Sequence, residues 1–245
     1  RPTIDAVKTA IQTGYRLIDT AALYRNEKEV GQGVRESGVP RSEIFVTTKL
    51  WNDDQGYDKA LRAFDKSFKN IGLEYIDLYL LHFPVPGKRL ESWRALQEIK
   101  KSGRVKSIGV SNFMTWHLKE FFENSDVRPV LNQVEFSPFL YVKDLLEMCQ
   151  KNKIVLQAYA PLTRGERFDH PVIIQVAKKY KKTPAQILLR WGLEHGISVI
   201  PKSVNPSRIK ENADIFDFHI EPKEMKVLDQ LNENLRTSWD PTTTP

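Results

Sequence analysis

The feature that most constrains the fold is a regular alternation of short apolar runs with helical stretches. Between the runs, apolar residues recur at three- and four-residue steps, as in Tyr57–Ile71, which predicts amphipathic helices. Strands that alternate with helices predict βα units and a parallel sheet. Seven runs have the near-continuous apolar character of parallel strands covered on both faces, namely Arg16–Asp19, Ile44–Leu50, Ile76–His82, Val105–Val110, Val130–Glu135, Ile154–Tyr159 and Ser198–Pro201.

Two α/β architectures accommodate such units, an open doubly wound sheet and a closed (β/α)8 TIM barrel. The nearest approach to the glycine-rich dinucleotide fingerprint of the open sheet is Gly31-Gln32-Gly33, which lacks the third glycine and lies in a helical pattern. The chain of 245 residues has the length of one barrel. We therefore predict a single (β/α)8-barrel domain over residues 1–245, with an irregular tail over residues 236–245.

The start of the chain departs from the order of elements in a barrel. A helical pattern, Thr3–Thr13, precedes the first predicted strand, whereas a helix packed on a parallel sheet normally follows a strand. Seven strands do not close an eight-stranded barrel. We therefore expect the first barrel strand to precede Arg1, outside the given sequence.

Charge, apolar runs and cysteine content restrict the possible partners and the cellular location of the protein. The net charge of +6 suits an anionic ligand or a nucleic acid, but the basic residues are dispersed, and pairs such as Lys100-Lys101 are interpreted as solvated helix ends. No run approaches the roughly 18 apolar residues of a transmembrane helix. The single cysteine, Cys149, excludes an intrachain disulfide framework and favours a reducing, cytoplasmic location.

A hydrogen-bonding or titratable side chain stands at the carboxyl end of every predicted strand. In a β/α barrel these ends converge on one face, and that face holds the active site. The pattern therefore predicts an active site built from the strand ends. The residues are Asp19, Lys49, His82, Ser111 with Asn112, Gln133, Tyr159, and Lys202 with Ser203.

The first three strand ends suggest acid–base chemistry. A buried lysine requires a carboxylate partner, and Asp19 lies on the strand next to that of Lys49. Tyr24 follows Asp19 on the loop that leaves the same strand, and an ammonium group beside a phenol favours loss of the phenolic proton. Alone, each residue could be structural. Together they predict Tyr24 as a general acid, with His82 able to hydrogen-bond the substrate oxygen or the tyrosine.

The last strand leads into a predicted phosphate site. Asn205 has the character of a helix N-cap and Pro206 of a first helical residue. Helix N-termini bind phosphate, and Lys202 and Arg208 add two cations. An ordinary cap with surface charges is the alternative. One turn further on, Glu211 and Asn212 are placed to contact a base or ribose.

Other chemistries that this scaffold supports lack their motifs. Of the five histidines only His82 stands at a strand end, and neither a His-x-His nor a His-Glu-x-x-His string occurs, so we predict no metal site. A Gly-x-Ser-x-Gly nucleophile elbow is also absent. Cys149 lies in an apolar helical run and is interpreted as a core residue.

Ordered motifs span nearly the whole chain: GYRLIDTA (Gly14–Ala21), YRNE (Tyr24–Glu27), LLHFP (Leu80–Pro84), GVSNF (Gly109–Phe113), NQVE (Asn132–Glu135) and IPKS (Ile200–Ser203). In these motifs and their spacing the chain resembles the aldo-keto reductase family. The short segment Pro84–Leu90 is similar to that of prokaryotic-type members such as the 2,5-diketo-D-gluconate reductase group.

The resemblance implies NADPH-dependent reduction of aldehydes or ketones, with keto-sugars and diketones among the candidates, by hydride transfer from nicotinamide C4. It implies a catalytic tetrad of Asp19, Tyr24, Lys49 and His82, in which Tyr24 donates the proton. Trp51 and Phe83 match positions in the pocket wall. The implied cofactor contacts are Ser111, Asn112 and Gln133 at the carboxamide, Tyr159 on the nicotinamide ring, Lys202, Ser203 and Arg208 at the 2′-phosphate, Glu211 and Asn212 at the adenine, and also Leu162.

Two alternatives stay open at this point. One is a cofactor-binding regulatory or structural protein on the same fold, and the other is an inactive truncated fragment. The expected partner is a small-molecule carbonyl substrate, with no nucleic acid and no membrane, and the expected state is a monomer.

Overall fold

The computed structural model describes residues 2–245. Over these residues, strands alternate with helices as predicted. The strands are β1 (Leu17–Asp19), β2 (Phe45–Leu50), β3 (Ile76–Leu81), β4 (Val105–Ser111), β5 (Leu131–Glu135), β6 (Val155–Tyr159) and β7 (Ser198–Val199). The helices are α1 (Pro2–Thr13), α2 (Glu27–Arg35), α3 (Tyr57–Ile71), α4 (Arg89–Lys101), α5 (Thr115–Asn124), α6 (Lys143–Lys151), α7 (Pro171–Tyr180), α8 (Pro184–Glu194), α9 (Pro206–Ala213) and α10 (Pro222–Asp229).

The strands are parallel where their register is defined, and their order in the sheet is their order in the chain. This order distinguishes the two architectures, because a doubly wound sheet reverses its strand order at a switch point whereas a β/α barrel does not. The predicted α/β class with barrel connectivity is therefore confirmed. All seven predicted strands are present, and the last is shortened to Ser198–Val199, since Pro201 has no N–H to extend the ladder.

The chain comprises two compact units, Arg1–Asn132 with Pro241–Pro245, and Gln133–Asp240. In the first unit, register pairs Asp19 with Thr47 and Lys49 with Leu80. Leu78, Leu80 and Leu131 form a buried apolar cluster. Strand register in the first unit therefore fixes the relative positions, along the strand direction, of Asp19, Lys49 and Leu81 at the carboxyl ends of β1, β2 and β3.

The glycines of the Gly31-Gln32-Gly33 string serve helix packing. Both lie within α2. A Cβ at Gly31 would lie 1.8 Å from the carbonyl oxygen of Ile71, and a Cβ at Gly33 would lie 2.8 Å from the Cβ of Val7. Only glycine permits these close approaches of α2 to its neighbours. Helix packing therefore accounts for both glycines, and no phosphate-binding loop is needed to explain them.

Two helix caps lie in the second unit, and the one at Asn205 is predicted from the sequence. The Thr183 hydroxyl accepts from the N–H of Gln186, and the Gln186 side chain accepts from the N–H of Thr183, which completes a capping box at α8. Asn205 caps α9, with Pro206 as its first residue. In β6 and β7, Gln157 pairs with Ser198.

The tail over residues 236–245 contains a 3-10 turn at Pro241–Thr243. Its end is attached to α5 within the first unit, where the Thr244 carbonyl accepts from Trp116 Nε1 and from His117 Nε2, each at 3.0 Å. His117 Nδ1 in turn accepts from the N–H of Met114. Separately, no helix in residues 2–245 combines the length and apolar character needed to cross a membrane.

Candidate active site

Lys49 and Asp19 form a buried ion pair at the ends of β1 and β2. The Lys49 side chain is fully buried, and its Nζ donates to Asp19 Oδ1 and, at 2.9 Å, to the carbonyl oxygen of Thr20. An ammonium group buried away from water is tolerated only with such partners. The carboxylate partner predicted for Lys49 is therefore present.

Tyr24 lies beside this pair on the 3-10 turn Ala22–Tyr24, which follows β1. Arg25, with φ of 54°, ends the turn in the left-handed region. Lys49 Nζ lies 5.1 Å from the centroid of the Tyr24 ring, and Tyr24 remains 48% exposed. The phenol is thus next to a buried cation on one side and accessible to a ligand on the other.

His82 follows β3 and completes the group. Its ring meets Tyr24 edge to face at a centroid distance of 5.8 Å and Trp51 in the same way at 5.5 Å. Burial, and next the positive charge of Lys49, lower the pKa of His82 to about 3. Since its imidazole is neutral at physiological pH, His82 can hydrogen-bond an oxygen without adding a second cation to the site.

Because the pKa of His82 is lowered in the folded protein, we expect the free energy of unfolding to fall as the solution becomes more acidic. Between pH 6.5 and about 3, unfolded His82 binds a proton that folded His82 does not, so acidification favours unfolding. From pH 6.5 to 4.5 the expected loss is about 2 to 3 kcal/mol. We expect the free energy of unfolding, measured in urea, to fall less over this range in His82→Gln than in the wild type. Parallel pH curves would contradict the assignment.

Ser111 and Asn112 stand at the end of β4, and both are buried. Asn112 adopts a left-handed backbone, with φ of 64°, which asparagine tolerates better than most residues. Its Nδ2 donates to the carbonyl oxygen of His82 at 2.9 Å and contacts Ser111 Oγ at 3.3 Å. Asn112 therefore ties the end of β4 to the histidine, a role that strand-end position alone does not reveal.

In the second unit, Gln133 belongs to a row of polar side chains. Gln133 Nε2 donates to Gln157 Oε1 at 2.8 Å, and Gln157 Nε2 donates to Ser198 Oγ at 3.1 Å. Gln157 is absent from the predicted site. The available signal was its place two residues before Tyr159 in an apolar strand, since alternate residues of a strand face the same side.

The predicted phosphate site also lies in the second unit, with Lys202 and Arg208 exposed and Ser203 half-buried. The N–H groups of Ser207 and Arg208 already donate to Asn205 Oδ1, at 2.9 and 3.4 Å. The backbone donors expected to bind phosphate are thus occupied by the cap. The side chains of Lys202 and Arg208 remain as exposed cationic groups that this end of α9 offers an anion.

The remaining predicted positions vary in their surroundings. Glu211 Oε1 accepts from Thr183 Oγ1 at 2.6 Å, and Asn212 is buried on the same helix. Tyr159 ends β6, and Leu162 precedes the 3-10 turn Thr163–Gly165. These four residues belong to the second unit.

Trp51 and Phe83, which match pocket-wall positions, are half-buried in the first unit. Trp51 contacts the His82 ring, and the Phe83 carbonyl accepts from Gln55 Nε2 at 2.7 Å. Within residues 2–245, no group of three or more His, Cys, Asp or Glu side chains is placed to hold a metal ion.

Comparison with known proteins adds a family match and bacterial relatives. The model of the aldo/keto reductase family matches residues 2–170 and 169–233. An uncharacterised oxidoreductase, YtbE, and a glyoxal reductase, both of Bacillus subtilis, are 50% and 48% identical, each over 97% of this chain and 86% of its own length. The methylglyoxal reductase DkgA of Escherichia coli is 44% identical over 97% of this chain and 87% of its own length.

Solved structures resemble the whole chain. The aldo-keto reductase MGS-M4, from a deep-sea metagenome library, superimposes with a TM-score of 0.96 at 44% identity, covering 100% of this chain and 92% of its own. The D53A mutant of Gox0644 in complex with NADPH superimposes with a TM-score of 0.93 at 43% identity, covering 100% of this chain and 91% of its own.

Proposed function

This chain belongs to the aldo/keto reductase family, and on that premise we propose that it reduces aldehydes and ketones to alcohols, with Tyr24 as the proton donor. As a family member it is an NADP-dependent oxidoreductase. The observation that carries the proposal is the grouping of Tyr24 with the buried Lys49–Asp19 pair and the neutral His82.

The chemistry of the available donors fits NADPH. The exposed cations Lys202 and Arg208 suit the 2′-phosphate, which NADPH has and NADH lacks. Ser111, Asn112 and Gln133 provide the hydroxyl and amide groups that a carboxamide requires, and Tyr159 provides an aromatic face. Leu162, Ser203, Glu211 and Asn212 are the further contacts that we propose. When bound, the cofactor supplies a hydride from nicotinamide C4 to the carbonyl carbon.

In the proposed reaction, residues of this chain bind the carbonyl oxygen of the substrate and supply its proton. We propose that neutral His82 donates an N–H to the carbonyl oxygen and orients it. Negative charge develops on that oxygen, and the Tyr24 hydroxyl transfers its proton there. The phenolate left on Tyr24 is stabilised by the Lys49 ammonium, 5.1 Å from the ring centroid, and Asp19 holds that ammonium in place.

Small dicarbonyl compounds are the substrates that we propose first. Two relatives are named for glyoxal and methylglyoxal reduction, and Trp51 and Phe83 give the site an aromatic wall that suits a compact, flat substrate. Larger diketones and keto-sugars are the second class to test.

The proposal is tested by following NADPH oxidation with a panel of small aldehydes, dicarbonyls and keto-sugars, with NADH in parallel and the protein mass verified. We expect turnover of the dicarbonyls. We expect kcat/KM to favour NADPH over NADH by at least about tenfold, because charge-assisted contacts to the 2′-phosphate are absent with NADH.

The control is the double variant Lys202→Ala/Arg208→Ala, in which the KM for NADPH should rise toward that for NADH. A preference for NADPH that survives both changes would remove these two residues from the phosphate site. A verified protein that binds NADPH but reduces no member of the panel would overturn the proposed reaction in favour of a regulatory role.

A further inference from the structure

The side chains of two adjacent β2 residues, Thr48 and Lys49, hold the segment from Asp19 to Glu27, and Tyr24 lies between these attachments. On one face of the strand, Lys49 holds the start of the segment through Asp19 and the Thr20 carbonyl. A hydrogen bond of 2.6 Å from Thr20 Oγ1 to Asn26 Oδ1 then closes the base of the loop that carries Tyr24.

The second attachment is on the opposite face of β2. Thr48 precedes Lys49, and successive residues of a strand point to opposite faces. Thr48 Oγ1 donates to Glu27 Oε1 at 2.7 Å. The segment is thus bonded to both faces of β2, at residues 48 and 49.

Glu27 is an unusual residue for this position. It is only 4% exposed, although a carboxylate is costly to bury. Its hydrogen-bond donors, the Thr48 hydroxyl and Asn70 Nδ2 at 3.3 Å, are neutral groups. As the first residue of α2, it also gains from the positive end of the helix dipole. Its hydrogen bonds join the start of α2 to β2, through Thr48, and to α3, through Asn70.

We propose that Glu27 is a positioning residue for the reduction, holding the turn Ala22–Tyr24 so that the phenol stays over Lys49; this inference rests on the proposed function. With Glu27 bonded to Thr48, both ends of the Tyr24 loop are bonded to the same strand. These bonds make the distance from Lys49 Nζ to the phenol ring depend on β2. Without the bond, α2 and the turn can shift relative to the ammonium.

The test compares Glu27→Ala with Glu27→Gln, using the full chain, NADPH and the best dicarbonyl of the panel. Glutamine keeps an oxygen that accepts from Thr48, and alanine does not. We expect Glu27→Ala to lower kcat by between about tenfold and a hundredfold, since small displacements of a catalytic group have effects of this size. We expect Glu27→Gln to keep kcat within about threefold of the wild type, since the retained oxygen preserves the positioning bond.

Further readouts separate positioning from a general structural role. The Kd for NADPH, measured by quenching of protein fluorescence, should stay near the wild-type value in Glu27→Ala. Glu29→Gln, which makes the same charge change in the first turn of α2, should match the wild type throughout. If Glu27→Ala does not fold, the same bond can be tested at its donor, Thr48. Thr48→Val removes the hydroxyl and Thr48→Ser keeps it, so we expect kcat to fall only in Thr48→Val.

Three outcomes would overturn the inference. One is a folded Glu27→Ala variant with wild-type kcat. Another is a loss of kcat that is matched by an equal loss of NADPH affinity. The third is an equal loss of kcat in Thr48→Val and Thr48→Ser. A wild-type protein that reduces no carbonyl compound would overturn the proposed function, and this inference with it, whereas an active wild type with an unaffected Glu27→Ala rejects the inference alone.

Discussion

Tyr24→Phe is expected to lower kcat for carbonyl reduction by about 10²–10⁴-fold, the usual contribution of a positioned general acid. The phenol hydroxyl is the proton donor in the proposed reaction, and phenylalanine keeps the ring that packs against His82. The free energy of unfolding should change by less than about 0.5 kcal/mol, because Tyr24 is 48% exposed and phenylalanine retains its ring.

The measurement is steady-state reduction of a dicarbonyl, together with the Kd for NADPH, which should be little changed. Tyr57→Phe is the matched control, since Tyr57 is 40% exposed at the start of α3 and undergoes the same chemical change. A Tyr24→Phe variant with more than a tenth of wild-type kcat would show that the proton comes from another group.

Lys49→Met should impair both activity and stability. Methionine fills the space of the buried side chain but leaves the Asp19 carboxylate, whose side chain is only 12% exposed, without its cation. Removing one partner of a buried ion pair costs about 3–5 kcal/mol. The loss in kcat should reach at least about 10²-fold, because no ammonium remains to stabilise the Tyr24 phenolate.

A second substitution separates the effect of Lys49→Met on stability from its effect on kcat. In Lys49→Met/Asp19→Asn the uncompensated charge is gone, so urea denaturation should show recovery of much of the stability while kcat stays low. Lys106→Met is the control: Lys106 pairs with Asp77 at 3.6 Å but is 53% exposed, so its loss should cost at most about 1 kcal/mol. Strictly additive stability losses at residues 19 and 49 would contradict the energetic coupling of the pair.

Several features of the fold follow from short-range patterns and could be predicted. The strands, the helix Tyr57–Ile71 and the caps at Thr183 and Asn205 depend on residues close together in the chain. The positions of Asp19, Lys49 and His82 at strand ends follow from the same patterns. The roles of these residues in catalysis, the single domain, the monomeric state and the cytoplasmic location stay predictions.

The phosphate site shows where such patterns stop being sufficient. Sequence indicated a helix N-terminus with two nearby cations, and both features are present. It did not indicate that the Asn205 side chain already accepts from the backbone N–H groups of Ser207 and Arg208. The same residue type that identifies the start of the helix therefore also occupies donors that an anion would use.

The sequence by itself determined the alternation of strands and helices, and with it the polar residues that end each strand, because periodicity and capping are properties of neighbouring residues. Only the tertiary structure decided which of these residues meet. The 5.1 Å between Lys49 Nζ and the Tyr24 ring, the bond from Asn112 to the His82 carbonyl and the bond from Thr48 to Glu27 each join residues more than twenty positions apart. Such contacts depend on strand register and helix packing, and these are set by the burial of many side chains at once rather than by any local motif.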